Sequence, residues 1–153
     1  MACFAGLDPG LRGGIAILDE NGKILATKSM PTNKSKGKQV INFAAVAAFL
    51  KEYEPDLCVI EKVSAMPGQG VVSMFSFGFG YGGLVGVVET MGMPYELVRP
   101  QVWQKTTIAG IDKKLGKARS VVFCQHHYPE EAITKDGIAD AVCMAIVARD
   151  RFS

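Results

Sequence analysis

The stretch Cys3-Phe-Ala-Gly-Leu-Asp-Pro-Gly-Leu-Arg-Gly-Gly-Ile-Ala-Ile-Leu-Asp-Glu-Asn-Gly-Lys-Ile-Leu-Ala-Thr-Lys-Ser-Met30 decides the architecture. Residues 3–8 and 13–19 are apolar runs separated by Pro9-Gly10-Leu11-Arg12, which opens on two turn-forming residues. A third run, residues 24–30, follows Asn21-Gly22. Asn-Gly between apolar runs is a strong hairpin signal, because the tight turn of a hairpin needs residues that tolerate positive φ. Three antiparallel strands are therefore expected at the start of the chain. The first of them closes on an acid, Asp8. A carboxylate touching a hydrophobic run is costly unless a cation or hydrogen bonds compensate it.

Outward from that stretch, residues 31–38 read as a polar, basic loop, and residues 40–53 have helical spacing that Glu54-Pro55-Asp56 breaks. Residues 57–60 read as a short buried strand, and this strand also closes on an acid, Glu61. Residues 71–91 are expected to be helical despite their glycines, and residues 94–98 to return to a strand. Helices are expected at 100–107, 114–127 and 136–149. The pattern is α/β: a mixed central sheet, three antiparallel strands and then parallel ones, flanked by helices. No linker or repeat divides the chain, so residues 1–153 are read as one domain. If the first and fourth strands are adjacent and parallel, Asp8 and Glu61 become neighbours at the carboxyl edge of the sheet, where ligands gather in such folds.

Two further acids, Asp136 and Asp140, head the apolar segment 137–148. At a spacing of i and i+4 they share one helix face. The same stripe continues through Cys143 and Val147, which turns it inward. A helix N-terminus also favours anions. Taken singly, Asp8 reads as well as a turn former, Glu61 as a solvent-facing strand end and Asp136 as a helix N-cap. Taken together, four hard oxygen donors at one point form a divalent-metal site, most naturally for Mg²⁺, and point to metal-dependent phosphoryl chemistry. No nucleophile elbow, Walker lysine loop or dinucleotide fingerprint is present. The four cysteines (Cys3, Cys58, Cys124, Cys143) lack metal-ligand spacing and suit small buried hydrophobes in a reducing cytosol.

A chain of 153 residues buries roughly 70% of its unfolded surface, and 48% hydrophobic with 21% charged residues is ordinary for a globular protein. The formal net charge is only +2, but its distribution is uneven. Lys28, Lys34, Lys36 and Lys38 form one basic cluster, and Lys113, Lys114, Lys117 and Arg119 another. Beside an acidic pocket they suit a polyanion whose scissile phosphate is held by metal; plain solvated surface is the alternative. Every apolar run is read as too interrupted to reach the ~18 residues of a membrane span, and no signal peptide is visible, so a cytoplasmic location without membrane contact is expected. In the segment 66–83, Phe75, Phe77, Phe79 and Tyr81 alternate with small residues. Core packing, a glycine-faced helix against a partner, and a base-stacking platform are all compatible with that alternation.

Five pieces of the chain together resemble the RuvC-type Holliday-junction resolvases of the RNase H-like fold. They are Gly6-Leu-Asp-Pro-Gly, Val59-Ile-Glu-Lys-Val, Met66-Pro-Gly-Gln-Gly through Phe75-Ser-Phe-Gly, Arg99-Pro-Gln-Val-Trp-Gln-Lys, and Asp136-Gly-Ile-Ala-Asp-Ala. They occur in the family's order across nearly the whole length. The resemblance implies that Asp8, Glu61, Asp136 and Asp140 are the catalytic, metal-binding tetrad. In bacterial members the last two acids are usually three residues apart; the spacing of four here is closer to the phage and plastid branch. With no plastid-targeting extension visible, a phage or bacterial source is expected.

The implied activity is structure-selective cleavage of four-way DNA junctions by a homodimer. Each site would use two Mg²⁺ ions, with Mn²⁺ able to substitute, held roughly 4 Å apart. Asp8 would bridge the ions, Glu61 and Asp140 would each complete one shell, and Asp136 would bind metal or orient water. Lys105, Lys113, Lys114, Lys117 and Arg119 would contact phosphates, which sets register without reading sequence. Gly68, Gln69 and Gly70, close behind Glu61, would reach bases at the junction centre. The same acids would serve an RNase H-like nuclease acting on other branched DNA or on RNA, and a non-catalytic junction-binding protein is the reading from another class. An actin-like kinase needs two large lobes, for which 153 residues are too few.

Overall fold

The computed structural model describes residues 1–152; Ser153, the last residue of the expected 1–153 domain, lies outside the described residues. A five-stranded sheet in the order β3-β2-β1-β6-β7 forms its centre. Strands β1 (Cys3–Asp8), β2 (Gly14–Asp19) and β3 (Ile24–Ser29) pair antiparallel, while β6 (Leu57–Glu61) joins β1 and β7 (Tyr95–Val98) joins β6 in parallel. This is the mixed sheet expected from the sequence. The register pairs Leu7 with Ile60, so the next residues, Asp8 and Glu61, emerge side by side at one edge.

Alternation along the strands divides the core. Ala5, Leu7, Ile15, Ile17, Cys58 and Ile60 face α1 (Phe43–Tyr53) and α2 (Val71–Thr90). Phe4, Val59, Ala16 and Leu18 face α3 (Pro100–Thr107), α4 (Ala118–His127) and α5 (Asp136–Phe152). Helix α5 lies directly across β1 and β2. Its approach depends on Gly6, where an added Cβ would sit 2.0 Å from the Ala141 carbonyl oxygen, and on Gly137, where it would sit 2.1 Å from the Arg12 carbonyl oxygen. No other residue type permits backbones so close.

Three local expectations are corrected. Residues 31–38 are largely a hairpin, β4 (Thr32–Ser35) and β5 (Lys38–Ile41), rather than a loop. Lys36 (φ 51°) and Gly37 (φ 79°) supply its two-residue turn, and because most of its side chains are exposed no alternation of apolar residues announces it. Helix α1 consequently starts at Phe43, capped by Asn42, whose side-chain oxygen accepts from the Ala45 N–H at 3.0 Å. The expected helix 114–127 is interrupted by Gly116 (φ 55°), leaving a 3₁₀ turn at Lys113–Leu115 before α4. Finally, by length and composition alone α2 meets the requirement of a membrane span, because its serines and glycines are too weakly polar to disqualify it. Only 17% of its most apolar window is buried.

Candidate metal centre and nucleic-acid interface

Three elements bring the four acids to one edge of the sheet: Asp8 ends β1, Glu61 ends β6, and Asp136 and Asp140 lie in the first turns of α5. Their proximity shows in their electrostatics. Burial pushes the Asp8 carboxyl up to about 7, and Asp140, Glu61 and Asp136 add to the rise, against a weak opposing hydrogen bond from the Gly10 N–H. Burial raises Asp140 to about 6; the Ser120 hydroxyl opposes the shift, Glu61 and Asp136 reinforce it, and Lys117 lowers it slightly. Glu61 is also raised by burial, against a hydrogen bond from Trp103. Asp136 accepts the N–H of Gly137 at 3.0 Å and lines a cavity of about 760 Å³ with Arg12, Lys117 and Lys135.

The side chains that hydrogen-bond to Glu61 and Asp140 are neutral. Trp103 Nε1 donates to Glu61 Oε2 at 2.7 Å, and the Ser120 hydroxyl donates to Asp140 Oδ1. Among the described residues no ion pair reaches any of the four acids; the two ion pairs present join Arg149 to Asp150 and Arg151 to Glu96. Neighbouring carboxylates without an ion-pair partner favour a cation, and an all-oxygen donor set suits Mg²⁺ or Mn²⁺ rather than a soft metal. Among the described residues no three His, Cys, Asp or Glu side chains are grouped closely enough to hold a metal ion as they stand. The fit to a divalent ion is therefore one of donor chemistry and neighbourhood. Neither Trp103 nor Ser120 was singled out from sequence. The only tryptophan in the chain was a signal for the first; no signal marked the second.

The expected DNA contacts distribute around this edge. Gly68 (φ 85°), Gln69 and Gly70 lie in the exposed segment between Glu61 and α2. Gln69 and Gly70 line a cavity of about 710 Å³ together with Lys62, Met66 and Arg99. Lys117 is exposed and near enough to Asp140 to act on it. Lys113 and Lys114 are exposed in the 3₁₀ turn, and Lys105 in the last turn of α3. Arg119 differs from them: its Nε and Nη2 donate to the carbonyls of Ile111 (3.3 Å) and Ile108 (2.7 Å), so most of its guanidinium holds the connection between α3 and α4. Arg12 and Lys135 join the basic surface without any sequence cluster to mark them.

No protein-family model matches the chain, and no curated protein matches it in sequence. Solved structures do match in shape. Thermus thermophilus RuvC in complex with a Holliday junction substrate superposes with a TM-score of 0.75 at 16% identity, covering 100% of this chain and 97% of that one. A second structure of T. thermophilus RuvC gives 0.71 at 18% identity, covering 98% and 96%. The fowlpox virus resolvase with substrate Holliday junction DNA gives 0.52 at 15% identity, covering 99% of both chains. The chain thus shares the fold of these RuvC structures over nearly its whole length.

Proposed function

We propose that the chain is a structure-selective DNA endonuclease that resolves four-way junctions. The observation that carries this reading is the set of four carboxylates, none of them in an ion pair among the described residues, at one edge of a fold shared with a RuvC solved on a Holliday junction substrate. Asp8, Glu61, Asp136 and Asp140 would hold two Mg²⁺ or Mn²⁺ ions, which when bound supply Lewis-acid activation of a water and stabilisation of the leaving oxygen. The protein's own groups do the rest. Lys117, Lys105, Lys113 and Lys114, with Arg12 and Lys135, hold phosphates beside the acids, while the Gly68–Gly70 backbone and the Gln69 amide enter the space opened between unstacked bases.

Two sites are needed to cut opposed strands of a junction, and the exposed apolar face of α2 supports a homodimer: Phe75 and Phe79 are 77% and 62% exposed, and Gly78, Gly82 and Gly86 have open space before them. Covering such a face with a second copy accounts for a span-length apolar helix without invoking a bilayer. Four free, buried cysteines accord with action in the reducing cytoplasm of a bacterial or phage-infected cell.

Incubating the protein with a mobile four-way junction, a Y-fork and an RNA–DNA hybrid, each with and without Mg²⁺, tests the proposal. Paired symmetric nicks in the junction, dependent on Mg²⁺, are expected. Preferential cutting of the fork or hybrid reassigns the substrate, and binding without cutting in any divalent ion makes the chain a junction-binding protein.

A further inference from the structure

We propose that Trp103 and Ser120 are positioning residues that each fix one oxygen of a metal-binding carboxylate and thereby aim the other at the cation. The inference deepens the metal-site reading above and rests on it. Both residues are almost sealed from solvent, Trp103 at 2% and Ser120 at 1% exposure. Both direct their only side-chain donor at the acid cluster rather than at a backbone carbonyl: the indole N–H to Glu61 Oε2 and the hydroxyl to Asp140 Oδ1. They come from different helices, α3 and α4, so the two flanks of the cluster are set independently.

The chemistry of the donors matters. A carboxylate rotates freely and presents two equivalent oxygens, so an unpinned ligand loses entropy whenever it binds a cation. A hydrogen bond to a charged acceptor is strong enough to hold the rotation. Lysine or arginine would also hold it, but each would neutralise the anion and compete with the metal. An indole N–H donates without accepting and carries no charge, so Glu61 keeps its full negative charge and Oε1 is left for the ion. The hydroxyl does the same for Asp140 and leaves Oδ2. Trp103 lies in a buried cluster with Phe4, Val59, Val98, Ile108 and Met144, and the Thr107 hydroxyl donates to its carbonyl at 2.7 Å. The donor therefore stands on packed core. Partners of this kind affect metal affinity by roughly 10–100-fold in other metalloproteins.

Trp103 is the only tryptophan, so emission excited beyond tyrosine absorption reports on the surroundings of this one indole. The experiment has two arms, both without DNA. In the wild type, Mg²⁺ is titrated while tryptophan emission and calorimetric heat are followed; a saturable emission change that tracks the heat, and is absent in Asp8→Asn, is expected. In Trp103→Phe and Ser120→Ala, Mn²⁺ affinity is measured by electron paramagnetic resonance, with circular dichroism to verify folding. Affinity 10–100-fold weaker than wild type is expected in each, together with junction cleavage that recovers as Mg²⁺ is raised, since a misaimed ligand is compensated by mass action and a misfolded one is not. Wild-type Mn²⁺ affinity in both folded variants overturns the assignment. Should Trp103→Phe fail to fold, the first arm decides for Trp103: emission unmoved by Mg²⁺ that saturates the calorimetric signal overturns it. Absence of any Mg²⁺ or Mn²⁺ binding in the wild type instead removes the metal-site reading itself.

Discussion

Helices α2 and α5 are the two longest, at 20 and 17 residues, and they invert the usual link between apolarity and burial. Helix α2 is the more apolar, yet only Gly80, Leu84 and Val88 are buried along it. Helix α5 carries Asp136, Asp140, Arg149, Asp150 and Arg151, yet nine of its residues are buried. Small side chains explain the difference. On α5, Gly137, Ala139, Ala141, Ala145 and Ala148 let the helix settle against β1 and β2, where Gly6 admits the Ala141 carbonyl. On α2 the glycines at 78, 82 and 86 meet nothing within the chain. The same device, a stripe of small residues, is used up internally in one helix and is left uncovered in the other. Burial follows from what a surface can reach, and the acids of α5 are carried inward by the close packing of their neighbours.

The sharpest way to break this contrast is to remove what the α5 side delivers. Asp8→Asn and Asp140→Asn are each expected to eliminate junction cleavage while leaving junction binding intact, because the isosteric amide removes a ligand charge but none of the basic surface. A cleavage gel beside a mobility-shift titration checks both, and wild-type cutting in either variant would detach the acids from catalysis. Next comes the packing itself. Gly6→Val should prevent stable folding, with destabilisation beyond the ~1–3 kcal/mol of ordinary overpacking, since its Cβ would meet backbone rather than a movable side chain. A cooperative thermal transition close to wild type would show that α5 can retreat.

A smaller effect concerns pH. Asp8 and Asp140 have folded-state values raised to about 7 and about 6 from an ordinary value of 3.8. The folded state therefore holds more protons than the unfolded state in that window, and the associated stability, fully present below the unfolded value, is lost as pH rises to about 7. In a chelator, Tm should fall between pH 5 and about 7.5, and Asp8→Asn should flatten the fall; differential scanning fluorimetry across that range checks it. Added Mg²⁺ should raise Tm more at the upper end, because binding requires the ionised acids. A Tm that climbs with pH in chelator would contradict the clustering of the acids.

On the α2 side the expected sign is opposite to that of Gly6. Gly86→Leu replaces a poor helix former by a good one at an open position, so the monomer should keep its fold or gain up to about 1 kcal/mol. Assembly should be lost nonetheless. Light scattering over a concentration series distinguishes the two, and an undiminished dimer would place the interface elsewhere. The smallest effect is expected at Gln69→Ala, which should alter the positions of cutting across junctions of varied central sequence while leaving affinity unchanged. An unaltered site pattern would restrict the turn at Gly68 to a folding role.

By itself the sequence determined the sheet and the identity of its acids. Apolar runs that stop on Asp8 and Glu61, the Asn21-Gly22 turn, and a stripe from Asp136 through Val147 are all local patterns of period two or 3.6, and the structure reproduces the elements they imply. Where side chains were polar on both sides, as in the hairpin β4–β5, periodicity carried no information and the backbone pairing stayed hidden. Tertiary structure alone decided which neutral donors stand behind the acids, because Trp103 and Glu61 are 42 positions apart and Ser120 and Asp140 are 20 apart. It likewise turned Arg119 toward the carbonyls of Ile108 and Ile111, and brought Arg12 and Lys135 to one cavity. A linear pattern records which residues share a face of their own element. Which face meets which is settled only when distant elements pack, through the backbone approach that Gly6 and Gly137 allow.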